Sequence, residues 1–271
     1  MRLRRKILLI VAAVILAACG TTRVVPVTGR KQKVVTDNAS VLTLSYSEYT
    51  KYIKGAKLST NAANTAMVKR VGQRLATAVE TYLKANGYAD EVKNYNWEFN
   101  LVADNQVNAF CMPGGKIVVY EGLLPVTKTE AALAIVLGHE IAHAVAYHSS
   151  EQQQQQENQQ LFGSVLSGVL QGTTGTNSNT ASVLSSLYGL GSQMATLKYS
   201  RKHETEADHI GLIFAAMAGY NPQEAISFWQ RMASSSSSSA TPVWLRTHPT
   251  DAQRISDLQK VMPEAMKYYK K

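Results

Sequence analysis

Between Asn61 and Asn86, apolar residues return at three- and four-residue steps: Val68, Val71, Leu75, Val79 and Tyr82. This spacing predicts a helix with one buried face, closed at Gly87 as its C-terminal cap. The period then changes to two. In "NWEFNLVA", Trp97, Phe99 and Leu101 alternate with Asn96, Glu98 and Asn100, the pattern of a half-buried strand. "QVNAFCMPGGKIVVYEGLL" follows, where Pro113, Gly114 and Gly115 form a turn between two apolar runs and so predict a hairpin. Pro113 fits a strand end or a sheet edge better than a central strand.

Thr127 followed by Glu130 resembles a capping box. It opens an Ala-rich apolar helix predicted to run to about His148. From Glu151 the chain turns to glutamine and then to Gly, Ser, Thr and Asn up to about Ala181. The glutamine run is compatible with an extended helix or with disorder, and "GTTGTNSNT" reads as loop. Helical periodicity resumes near Val183 and continues through "HETEADHIGLIFAAMAG" to Gly219, with a break expected near Gly189 or Gly191. Asn221, Pro222 and Glu224 then start another helix. The serine run 234–239 links it to "TPVWLRTHPTDAQRI" and a final helix.

The N-terminal stretch adds an address. Arg2, Arg4, Arg5 and Lys6 precede an apolar run from Ile7 to Ala18. That run is shorter than the about 20 residues of a membrane span and suits an export signal over 1–18. "LAAC" resembles a lipoprotein box, with cleavage before Cys19, lipidation of that cysteine, and Gly20 after it in the pattern sorted to the outer membrane. Residues 19–44 read as a lipidated tether, with a short helix expected in "YSEYTKYIKGAK", and 45–271 as one domain with a low-complexity loop at 151–181. The formal charge of +9 falls to about +5 without the four cations of the leader. The remaining Lys and Arg form no stripe, so no nucleic-acid partner is expected. With Cys19 lipidated, Cys111 has no disulfide partner and reads as a packed strand residue.

Candidate chemistry lies in "VLGHEIAHAVAYH". On a helix His139 and His143 leave the same face one turn apart and can converge on one metal ion. Glu140 is turned by about 100°, where a general base for a metal-bound water belongs. Nitrogen and carboxylate donors without thiolates suit zinc. A catalytic zinc needs a third protein ligand, and "HETEADH" offers one. Glu204 can complete the set, and Asp208, one turn on, can accept a hydrogen bond from a ligand histidine. Glu206, His203 and His209 are rival ligands on other faces of that helix.

Residues 97–255 resemble the membrane-associated zinc metallopeptidases that include HtpX and the CAAX prenyl proteases. The blocks are "NAFCMPGGKIVVYEGLL", "LGHEIAHAVAYH", "YSRKHETEADHIG" and "THPTDAQRI", in that order. The leader looks like that of the family's periplasmic lipoprotein branch. The resemblance implies an α+β, predominantly helical, zincin-like (gluzincin) domain, with a small mixed or antiparallel sheet packed on the HExxH helix. It implies one zinc per chain held by His139, His143 and Glu204, with Glu140 as base and Asp208 behind a ligand. His248 matches a histidine near the metal, which could donate to the oxyanion or fill the open zinc position in a resting enzyme. Arg254 could pair with Asp208 or another site carboxylate, or face solvent. Asn108 and Ala109 match a substrate-binding edge strand. His148 reads as structural.

The implied function is endopeptidase action on misfolded or membrane-associated proteins of the cell envelope, at the periplasmic side of the outer membrane. The expected partners are polypeptide substrates, membrane lipid through acylated Cys19, and envelope assembly machinery. An alternative is a metal-stabilised assembly factor for outer-membrane proteins that cleaves little. Residues 151–181, between the two metal-bearing helices, could form a lid.

Overall fold

The computed structural model describes residues 20–35, 37–171, 198–235, 242–248 and 252–270. The expected signal, Cys19, the Gly/Ser/Thr part of the 151–181 stretch, the predicted helix over 183–197 and Pro249 lie outside the described residues.

The elements run β1 (Thr21–Val24), β2 (Lys31–Val34), α1 (Asn38–Gly55), α2 (Ala62–Ala85), β3 (Glu98–Val102), β4 (Ala109–Met112) and β5 (Lys116–Tyr120). Then come a single turn α3 (Leu124–Thr127), α4 (Glu130–Val145), α5 (His148–Gln171), α6 (Arg201–Met217), α7 (Glu224–Ser235), the short α8 (Val243–Thr247) and α9 (Ala252–Tyr268). The fold is α+β and mostly helical, as the resemblance implies.

The three-stranded sheet is mixed, in the order β3-β5-β4, with β3 parallel and β4 antiparallel to β5. Alternation sends Phe99, Leu101, Ala109, Cys111, Ile117 and Val119 into the main core with α2, α4 and α6. It sends Val102, Phe110, Met112, Val118 and Tyr120 into a second cluster closed by Val41 and Tyr49 of α1. A sheet covered on both faces calls for apolar side chains on both, and β4 and β5 are buried throughout, with Lys116 at the start of β5 paired to Glu98. Pro113, Gly114 and Gly115 turn the hairpin, both glycines with positive φ. Burial pushes the free Cys111 thiol well up, as befits a packing residue.

Three expectations change, and one left open is decided. The cap of α4 is Thr129, whose hydroxyl accepts from Ala132 N–H; Thr127 closes α3 instead, and Lys128 turns the chain with φ 65°. Helix α4 ends at Val145, short of His148, because Tyr147 adopts a left-handed φ of 54° and His148 opens α5. The glutamine run is helical within α5. The helix bearing "HETEADH" begins only at Arg201, capped by Ser200, rather than running on from the residues before it.

Residues 20–44 are likewise a docked element and not a loose tether. β1 and β2 form an antiparallel hairpin, and α1 already begins at Asn38, capped by Asp37. The hairpin is fastened by polar side chains, with Gln32 Nε2 donating to Ala146 O at 2.7 Å and Arg30 paired with Glu151 and Glu206. Local periodicity could not show this docking, because the partners of Arg30 and Gln32 are more than 100 positions away.

Helix α4 is apolar almost all round and accordingly buried on nearly every side. It crosses α6 at Gly138 and Gly211, so closely that a Cβ on Gly211 would sit 2.7 Å from His139 N. This contact of bare backbones brings the histidines of α4 against the carboxylates of α6. Among the described residues no helix is long and apolar enough to cross a membrane.

Candidate metal centre

The α4–α6 crossing places His139, His143, Glu204 and His248 in one buried cluster, with a donor atom from each within 4.8 Å of every other. His139 Nε2 lies 3.1 Å from His143 Nε2, and Glu204 lies 3.4 Å from both. His248 Nδ1 is 3.1 Å from His139 Nε2 and 3.0 Å from Glu204 Oε2. Ligands at 2.0–2.2 Å around a tetrahedral zinc stand about 3.3–3.5 Å apart along each edge, close to these separations. Two ring nitrogens facing each other at 3.1 Å can share only one proton, whereas a cation between them would satisfy both. The donor set therefore fits zinc.

Charge points the same way. Glu140, Glu204 and Asp208 are all buried, and Glu204 and Asp208 share the Arg254 guanidinium. Burial alone would push the His139 imidazole down, yet its hydrogen bonds to Asp208 and Glu204 outweigh this and lift it to about 9. His143 is pushed well down by burial. Glu204 is held well below the usual carboxylate range: burial opposes this, but the histidine charges prevail. The pocket favours positive charge at its centre.

Asp208 and Arg254 set the direction of the His139 ring. His139 Nδ1 lies 2.9 Å from Asp208 Oδ1; with a cation in the cluster, Nδ1–H donates to that carboxylate and the Nε2 lone pair faces the cation. Arg254 donates to both Asp208 oxygens at 2.7 Å and to Glu204 Oε2 at 3.1 Å. Its guanidinium stacks 3.5 Å over the Trp229 ring. Of the readings open for Arg254, both pairings are present, with Asp208 and with a second site carboxylate, Glu204, and the side chain is buried. Glu140 Oε1 accepts a 2.8 Å hydrogen bond from Trp244 Nε1 and lies 3.6 Å from His248 Nε2.

The rivals point elsewhere. Glu206 holds His148 and Arg30, His203 meets Glu151, and His209 meets Glu264 near the surface. β4 is an edge strand packed on α4, and Asn108 and Ala109 at its start are buried. Ala109 N–H donates to Asn108 Oδ1 at 3.0 Å, and the Val107 carbonyl accepts from Trp244 N–H at 3.1 Å. Sequence reading missed Trp244, Trp229 and Arg30. No local pattern marks them, since each acts on residues far away in the chain.

A model of peptidase family M48 matches residues 62–262. The chain belongs to peptidase family M48. Among curated members of this family, it is 33% identical over 175 residues to "Mitochondrial metalloendopeptidase OMA1" of Schizosaccharomyces pombe, covering 64% of this chain and 49% of that protein. It is 29% identical to "Metalloendopeptidase OMA1, mitochondrial" of Homo sapiens over 89% of this chain and 46% of the relative. It is 34% identical to "Beta-barrel assembly-enhancing protease" of Yersinia pestis over 59% of this chain and 33% of the relative. The chain thus spans half or less of the length of these M48 relatives.

Proposed function

We propose that this M48 chain is a zinc-dependent endopeptidase of the bacterial cell envelope, acting on misfolded or membrane-associated polypeptides. The observation that carries the reading is the convergence of His139, His143, Glu204 and His248 donors beside the buried Glu140. His139, His143 and Glu204 would hold the zinc. When bound, zinc would polarise the scissile carbonyl and make water a better nucleophile at neutral pH. Glu140 takes the proton of the attacking water and delivers it to the leaving amine. Trp244 N–H fixes the Glu140 carboxylate for that exchange. His248 lies at the fourth donor position in this conformation, so it must swing aside for substrate and can then donate to the developing oxyanion. The β4 edge at Asn108 and Ala109 is where an extended peptide would add as a further strand.

The location rests on the leader: a basic start, a short apolar run and "LAAC" support acylation at Cys19 and attachment to the outer membrane, facing the periplasm. A second reading, an assembly factor for outer-membrane proteins that cleaves little, draws on the likeness to the β-barrel assembly-enhancing protease. Glu140→Gln separates the two. It should keep one zinc per chain and lower cleavage of unfolded protein by about 10²–10⁴-fold. Cleavage at the wild-type rate refutes the peptidase reading, and rescue of a deletion phenotype by this variant favours the second.

A further inference from the structure

The two ligand histidines are supported differently. His139 leans on a carboxylate directly, whereas His143 Nδ1 faces a third imidazole, His148 Nδ1, at 2.8 Å. Beyond it His148 Nε2 lies 3.0 Å from Glu206 Oε2. Glu206 in turn accepts from Arg30 Nε at 2.8 Å and from the Thr28 hydroxyl at 2.6 Å. Arg30 also grips both oxygens of Glu151, at 2.8 and 2.7 Å. His148 is fully buried and stacks on His203, with ring centroids 4.4 Å apart and planes 19° apart. Tyr199 stacks on His143 at 4.0 Å.

Proton positions along this chain are forced. A His143 that offers its Nε2 lone pair to a metal carries its proton on Nδ1 and donates it to His148 Nδ1. His148 must then hold its own proton on Nε2, and Glu206 accepts it. Glu206 is a buried carboxylate that depends on Arg30 and Thr28 for its other bonds. These two residues belong to the turn of the N-terminal hairpin, which supplies none of the donors. We propose that His148 and Glu206 are positioning residues for the metal ligand His143, and that Arg30 makes the N-terminal hairpin part of the metal centre. The inference rests on the metallopeptidase reading and adds to it a second orienting line, built from three elements: hairpin, α5 and α6.

The test measures metal retention by the acylated chain from Cys19 onward, in detergent. Zinc affinity is read by competition with a chromophoric chelator, and ligand geometry by the visible absorption of the Co²⁺-substituted chain. Outer partners of ligand histidines are worth about 10–100-fold in metal affinity. His148→Leu, which removes both ring nitrogens, should raise the zinc Kd by about that factor and alter the cobalt spectrum. His148→Asn, which restores an acceptor near the Nδ1 position, should recover most of the loss. Arg30→Met should weaken zinc binding roughly tenfold, from the other end of the line. It also tests the idea if His148→Leu fails to fold. Wild-type zinc affinity and cobalt spectrum in folded Arg30→Met and His148→Leu overturn the proposal, as does a loss confined to the thermal stability of the metal-free chain. If the wild-type chain itself takes up neither metal, the metallopeptidase reading falls, and this inference with it.

Discussion

Gly211→Ala tests the contact on which the metal centre is built. A Cβ at this position would lie 2.7 Å from His139 N, 2.8 Å from Gly138 C and 3.0 Å from Gly138 O. All three are backbone atoms of a buried helix, so none can rotate away. Ordinary contacts between such atoms are about 3.5 Å or more, so α4 and α6 must part by roughly 0.7 Å. Overpacking of this kind costs about 1–3 kcal/mol. The gain in helix propensity of Ala over Gly returns at most about 1 kcal/mol. The net loss of up to about 2 kcal/mol should lower the metal-free Tm, by about 2–4 °C for each kcal/mol. The greater effect falls on the site, because a constellation of this kind tolerates only about 0.5 Å of displacement. His139 and His143 ride on one helix and Glu204 on the other, so zinc affinity should drop by about tenfold or more. Calorimetry with and without zinc, together with chelator competition, measures both effects. Gly55→Ala is the control, because nothing lies within 4 Å of its Cβ position, and it should leave stability equal or slightly raised. An unchanged Tm and an unchanged zinc affinity in Gly211→Ala would refute the argument that bare backbone contact sets the spacing of the donors.

Trp244→Phe removes the hydrogen bond to Glu140 Oε1. A bond to a charged group is worth about 1.5–3 kcal/mol, so steady-state kinetics should show kcat falling by about 10–100-fold with zinc content preserved. Arg254→Met leaves Asp208 buried without its bidentate cation. Urea unfolding should report a loss of about 3–5 kcal/mol, and an unchanged midpoint would mean that the pair is no anchor. The hairpin clamp has a pH signature. Burial opposes ionisation of Glu151, but its bonds to His203 and Arg30 prevail and hold its carboxyl at about 2. Its folded value lies below the unfolded one, so its contribution is complete above about pH 5 and fades as pH falls from about 4.5 towards 2. Chelator-treated Glu151→Gln should therefore lose about 1–3 kcal/mol less stability than wild type between pH 6 and pH 2.5, measured by urea unfolding. Parallel pH curves for the two chains would count against the clamp.

Much of the site is written in local spacing. His139 and His143 on one face, Glu204 and Asp208 on another, each one helical turn apart, follow from 3.6 residues per turn once the two helices are granted. The strand alternation at 97–101 and the Pro-Gly-Gly turn are equally local, and they gave the sheet its place in the chain. The docked hairpin at 20–34 was not legible. Its strands are four residues each and lie where the leader would meet a tether, and what holds them is Arg30 reaching across 121 and 176 positions.

The sequence by itself determined that two metal-binding helices exist and which residues share a face on each, because helix geometry fixes directions within an element. The spacing of Glu204 and Asp208 and the family resemblance pointed to Glu204, but Glu206, His203 and His209 stayed as rivals, because periodicity says nothing about which face meets which helix. Tertiary structure shows which of them meets the histidines. The Gly138–Gly211 crossing turns Glu204 and Asp208 toward the histidines and leaves Glu206 for His148 and Arg30. The same packing brings Trp244 to the base and Arg254 to Asp208. Such contacts depend on the closure of long loops around a buried core, and no neighbouring residues in the chain record them.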